Sequence, residues 1–306
     1  MGTDPVLSST RRISRFRPTA RNQQQRLFGG LAVLGSALCF YLATAIIHWG
    51  QDTVRIHAAM YTFARFVFGF LVVSTSMFLR GRRPRCNHAH YILGRMVANT
   101  IAVYCFYKAV DVGSVAEANI LNMTYPLFVA LFSWFVLRDQ RDIFSLVIVA
   151  LASFGIWLIL APGLTTLHLD NFWGLLSGIF AAFAIIYLNL SRQYNDAQSI
   201  LWYMFGLGAV LMLPLVYGEL TLPTPTECFF LFSCSIAGIA GQYLLTYGFL
   251  YVTAVEGAVI SSSRILIAAL LGPLLVADPP LGLSGLLGTL IIFAADLVLA
   301  LRAPAS

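Results

Sequence analysis

The chain has 306 residues, 59% of them hydrophobic and only 10% charged, with net charge +6 and mean hydropathy +0.81. A soluble domain carries about a quarter charged residues, so this much apolar surface requires lipid as well as a core, and a soluble domain is excluded. The cysteines Cys39, Cys86, Cys105, Cys228 and Cys234 contain no CxxC pair, which removes a disulfide framework and a structural zinc site.

Residues 1–26 are polar and Arg-rich and read as a cytoplasmic tail. The STRRIS stretch at 9–14 resembles a twin-arginine export signal, but the apolar run behind it is of span length and lacks an A-x-A site, so it reads as a retained first helix. Ten apolar segments of about 20 residues, the length that crosses a bilayer, follow. They lie at 27–48, 58–79, 91–110, 114–137, 142–161, 171–191, 199–218, 229–251, 255–276 and 281–301. Their continuous apolarity predicts helices, not alternating barrel strands.

With the N-terminus in the cytoplasm, cytoplasmic segments hold Arg11, Arg12, Arg15, Arg17, Arg21, Arg26, Arg80, Arg82, Arg83, Arg85, Arg138, Arg141, Arg192 and Arg302, and the other side only Arg55. This asymmetry places both termini in the cytoplasm, and the membrane is read as the cell (inner or plasma) membrane. The basic balance is then a topology device, and no nucleic-acid partner is implied. Cys86, His88 and His90, between spans two and three, have no fourth ligand at zinc spacing and read as a solvated loop.

Polar residues inside the spans are the candidates for function. In span three, Tyr104, Tyr107, Lys108 and Asp111 share one helical face. Tyr243 and Tyr247 of span eight form a matching stripe, with Gln242 beside them. The stripes read as either a substrate cavity or packing plus an interfacial belt. Span four places Asn119, Asn122 and Pro126 nearly on one face, and the proline predicts a kink with a freed carbonyl near residue 122. Glu117, Glu256 and Asp296 are candidates for proton coupling, the first two also fitting helix-start capping. Gly174 and Gly178 in span six, and Gly282, Gly285 and Gly288 in span ten, predict close helix packing, with a homodimer interface as the alternative. Arg264 is the clearest intramembrane charge: it lies about half-way along span nine, behind Ser261, Ser262 and Ser263. It reads either as an anion clamp or as a permanent partner of Glu117, Glu256 or Asp296.

The two halves echo each other. At an offset of 140, Tyr107 meets Tyr247, Val112 meets Val252, Ala118 meets Ala258 and Leu131 meets Leu271. GLAVLGSA at Gly30 has a weaker echo in GLLSGIFA at Gly174. A five-span unit repeated in one chain enters the membrane with opposite orientation, which predicts an all-α membrane protein of ten transmembrane helices in two inverted five-helix repeats. The same offset pairs Thr124 with Arg264 and Asn122 with Ser262, and these four are expected to converge near the midplane. No phosphate-binding loop is present, the only lysine is Lys108, and no nucleophile–base or HExxH set shares a helix face. Neither an ATP-driven pump nor an enzyme is implied, and no cofactor or metal.

FYKAVDVGSVAEANILNMTYPLFVALFSWFVLRDQRD at 106–142 and HAAMYTFARFVFGF at 57–70, which contains Arg65, resemble the EamA-type family of the drug/metabolite transporter superfamily. The resemblance implies repeats at 27–161 and 171–301 and a cavity lined mainly by spans one, three, four, six, eight and nine. It implies a secondary transporter, expected to export a small polar metabolite such as an amino acid, with the substrate and the bilayer as partners and a homodimer as the alternative to a single chain. Where the family often has Glu-Pro in span nine, this chain has Ser263, Arg264 and Ile265. That departure favours anionic or zwitterionic cargo and keeps an organic-anion or nucleotide-derivative carrier as the alternative, with a non-transport membrane enzyme or assembly subunit ranked below both.

Overall fold

A computed structural model describes residues 23–51, 53–136, 143–160, 172–192, 194–219, 223–251, 254–277 and 281–302. The apolar runs form α1 (Gln23–Gln51), α2 (Ala58–Leu79), α3 (Ala89–Val112), α4 (Val115–Asn122), α5 (Tyr125–Val136) and α6 (Ile143–Leu160) in the first half. The second half holds α7 (Phe172–Ser191), α8 (Ala197–Val216), α9 (Pro225–Gly248), α10 (Ala254–Leu275) and α11 (Leu283–Arg302). Helices α4 and α5 are two pieces of the fourth span, so the bundle has ten spans, and the described residues contain no strand.

Side-chain caps fix several helix starts. Ser114 Oγ accepts from Glu117 N at 3.1 Å at the head of α4, and Asp196 accepts from Ser199 N at 3.1 Å at the head of α8. Thr224 and Glu227 form a capping box on α9. The fourth span stops at Asn122 and restarts at Tyr125. Pro126 cannot donate to the carbonyl of Asn122, and its ring crowds that carbonyl, so the expected kink is a full break.

Four helical stretches are long and apolar enough to cross a membrane by length and composition: Leu27–Gln51, Ala58–Leu79, Ala197–Val216 and Pro225–Gly248. Helix α3 is as long, at 24 residues, but carries Arg95, Asn99, Thr100, Lys108 and Asp111. Arg95, Asn99 and Thr100 are buried in the bundle, so their polarity faces protein and not lipid. The outer surface is apolar, with Leu71, Phe232, Leu270 and Leu290 all exposed, as a bilayer-solvated bundle requires.

Packing follows a pseudo-twofold pattern. Helix α1 packs on α9 and α10, while its counterpart α7 packs on α3 and on α4 and α5. Contacts of α2 with α8, α6 with α11 and α4 with α10 map onto themselves when the halves are exchanged. This is the two-repeat architecture, and the odd number of spans per half inverts the second copy. At the α6–α11 crossing a Cβ on Gly155 would meet the Gly288 carbonyl at 2.9 Å, and one on Gly288 would meet the Gly155 carbonyl at 2.6 Å. Of the span-ten glycines only Gly288 makes such a contact; Gly282 has nothing within 4 Å, and Gly285 meets only Leu281. Gly174 and Gly178 fit against α4 within the chain, Gly178 lying where a Cβ would meet Thr124 Oγ1 at 2.6 Å and the Leu121 carbonyl at 2.8 Å.

Candidate functional site: a cavity with three arginines

One cavity, with about 710 Å³ of space unfilled by protein atoms, lies between the halves. It is lined by α1, α2, α3, the α4–α5 break, α7, α9 and α10. Most of its wall is apolar; beside the uncharged Ser36, Asn99, Asn122, Gln242 and Ser261 it carries three charges, Arg65 from α2, Arg95 from α3 and Arg264 from α10. Their side chains are only 2%, 2% and 4% exposed. A guanidinium withdrawn from water costs several kcal/mol unless it is paired. Among the described residues, none of the three lies within ion-pair distance of a carboxylate.

Each arginine is held differently. Arg264 Nη2 donates to Asn122 Oδ1, and Asn122 Nδ2 donates to Ser177 Oγ at 2.9 Å, tying α10 to α4 and α7. The Arg264 guanidinium also lies 5.6 Å from the ring centre of Phe40 and 5.2 Å from that of Phe106. Arg65 Nη1 donates to Tyr107 Oη at 3.0 Å, and its guanidinium lies 5.3 Å from the same Phe40 ring. Cation–π contacts of this kind contribute about 0.5–2 kcal/mol each, less than the cost of burying the charge. Arg95 has no hydrogen-bond partner among the described residues. One turn further along α3, Asn99 Nδ2 is also buried without one.

The residues expected to form the site are divided by this geometry. Asn122 and Arg264 meet in the cavity wall. Thr124 is turned from the cavity, its hydroxyl donating to the Leu121 carbonyl at 2.6 Å beside Gly178. Ser262 is buried and outside the lining, whereas its neighbour Ser261 is part of it. Asn119 donates to Thr44 Oγ1 at 3.0 Å and to the Val115 carbonyl at 2.8 Å, away from the cavity. Tyr107 supports Arg65 from behind, and Tyr104 packs edge-on against Trp173. Tyr243 and Tyr247 stack at 6.1 Å, and Tyr247 Oη accepts from Gln198 Nε2 at 2.8 Å; neither lines the cavity. Lys108 pairs with Asp111 at 2.9 Å. Glu117 occupies the capped first turn of α4. The side chains of Glu256 and Asp296 lie outside the described residues, as does the tail up to residue 22.

The cavity-facing stripe of α3 is Arg95, Asn99, Ala102, Val103 and Phe106, about 130° round the helix from Tyr104 and Tyr107. On α9 it is Gln242 and Leu245, not the tyrosines. Arg95 lies inside span three, so a count of basic residues outside the spans does not include it. The available signal was the one that identified Arg264: a charge inside an apolar run.

The sequence profile of the EamA-like transporter family matches residues 27–161 and 169–301. The chain belongs to that family. An uncharacterized transporter of Helicobacter pylori is 27% identical over 286 residues, covering 90% of this chain and 96% of that protein. The pseudopaline exporter CntI of Pseudomonas aeruginosa is 27% identical over 268 residues, with coverage of 86% and 93%. Human solute carrier family 35 member G1 is 26% identical over 230 residues, covering 69% of this chain and 62% of that protein. A solved crystal structure shares the fold at TM-score 0.58 and 17% identity, spanning 92% of this chain and 98% of that one. The EamA-like protein is therefore a multi-pass membrane protein of a transporter family.

Proposed function

We propose that this EamA-like protein is a secondary transporter that carries a small organic anion across the cell membrane, its two halves rocking about the central cavity. The observation that carries this reading is the set of three buried arginines on one cavity with no described carboxylate to balance them. A bound anion supplies the missing charge, and a guanidinium fork matches a carboxylate or phosphate in shape. An amino acid is the weaker fit, because its ammonium group needs an acceptor of opposite charge and the described lining contains none. The arginine asymmetry of the loops supports cytoplasmic termini. The Pseudomonas aeruginosa relative, named an exporter, supports outward transport.

The test is uptake into proteoliposomes of anionic, zwitterionic and cationic metabolites, by wild type and Arg264→Gln. The expected result is saturable uptake of anions alone, lost in Arg264→Gln. Uptake of zwitterions or cations at the same rate in both proteins contradicts the proposal.

A further inference from the structure

We infer that the substrate carries two negatively charged groups set apart from one another, and that Arg95 and Asn99 form the subsite for the second. This rests on reading the cavity as an anion transport site. Two poles can be distinguished on the cavity wall. At one, Arg65 and Arg264 approach the same Phe40 ring and Arg264 reaches Phe106, so two guanidiniums serve one end. Along α3, Phe106 and Arg95 are about three turns, or roughly 16 Å of helix axis, apart. Arg95 therefore joins the cavity wall from a different depth of the bundle.

The Arg95 pole is constructed as a binding site and left without a protein ligand. Arg95 is 2% exposed and Asn99 is 7% exposed, and both line the cavity. Arg95 Nε and Asn99 Nδ2 are buried donors with no acceptor, four residues apart on one helix face. A buried donor without an acceptor is costly, and two on one face of a cavity wall point to an acceptor brought by the substrate. Arg264 differs, since its hydrogen bond to Asn122 persists without substrate. One anionic group at the Arg65–Arg264 pole leaves Arg95 uncompensated, so a single carboxylate satisfies only part of the cavity. A molecule with an anionic group at each end satisfies both poles.

The experiment is calorimetric binding of butyrate, succinate, glutarate and adipate to the purified full-length protein, in wild type, Arg95→Gln, Asn99→Ala and Arg95→Lys. The expected result is that the best dicarboxylate binds wild type about 10- to 100-fold more tightly than butyrate, the gain of one charge-assisted pairing. In Arg95→Gln that advantage falls to within a few-fold, Asn99→Ala loses part of it, and Arg95→Lys keeps most of it. The ligand-free Arg95→Gln protein should melt no lower than wild type, because it loses an unpaired buried charge. An unchanged dicarboxylate preference in Arg95→Gln overturns the subsite, as does a lower melting temperature with the preference intact, which marks Arg95 as structural. If wild type binds butyrate and the dicarboxylates equally, the second subsite fails while anion transport stands. If it binds none of them, both fail.

Discussion

At the scale of residues, the site depends on how few atoms hold its charges. Arg264 has one side-chain acceptor, Asn122 Oδ1, and two aromatic rings. Arg65 is held by Tyr107 and by the absence of a side chain on α9. A Cβ at Gly238 would stand 2.8 Å from Arg65 Nε and 2.9 Å from its Cδ. Gly238→Ala therefore displaces the guanidinium without touching the cavity itself. The expected outcome is a rise of ~10-fold in transport KM, about the worth of one charge-assisted hydrogen bond, in a protein that still elutes as folded. Asn122→Ala frees Arg264 to move and removes one donor to Ser177 Oγ, which keeps its own bond to the Gly174 carbonyl, and it should weaken substrate binding less than Arg264→Gln does. Binding titrations of the two variants side by side check the order.

Among the elements, α3 and the broken fourth span position most of the site. Helix α3 presents Arg95 and Asn99 to the cavity, and the fourth-span break brings Asn122 to the wall beside the small-residue face of α7. Where α6 and α11 cross, the backbones are in contact at Gly155 and Gly288. Gly288→Val must separate these helices, and it should destabilise the protein by about 1–3 kcal/mol, the usual cost of overpacking. A lower melting temperature in detergent with substrate affinity near wild type is the expected reading. Helices and spans were legible in the sequence because each is a long apolar run, and the halves were legible through matched positions such as Tyr107 and Tyr247. Of the residues singled out in the sequence as a convergent polar patch, Asn122 and Arg264 meet on the cavity wall, while Thr124 and Ser262 lie outside its lining. The tyrosine stripes lie outside the cavity lining and follow their packing alternative, because an amphipathic face can turn toward a neighbouring helix as readily as toward a cavity. Which face of α3 looks inward is decided by how α7 packs against it, a long-range contact that no local spacing encodes.

For the molecule as a whole, a near-symmetric scaffold carries an asymmetric charge. At the offset of 140, Arg264 corresponds to Thr124 and Arg95 to Ser235, so each cation replaces a hydroxyl of the other copy. The unloaded cavity holds cations that α-helical packing leaves unpaired. Occluding it empty exposes them to low dielectric, whereas the loaded cavity is closer to neutral. Return of the empty carrier should thus be slow. Unlabelled substrate inside proteoliposomes should accelerate entry of labelled substrate by ~10-fold or more, since each 1.4 kcal/mol of barrier is tenfold in rate.

Charge selectivity of binding tests the central claim most directly, through thermal unfolding of the detergent-purified wild-type protein across metabolites of each charge class. A ligand of the native state stabilises it by about 2.7 kcal/mol at a hundred times its Kd, enough to move the transition by several degrees. The account predicts concentration-dependent stabilisation by organic anions, no shift with cations or neutral sugars, and loss of the anion shift in Arg264→Gln. Stabilisation by cations or neutral solutes, with anions inert, contradicts it.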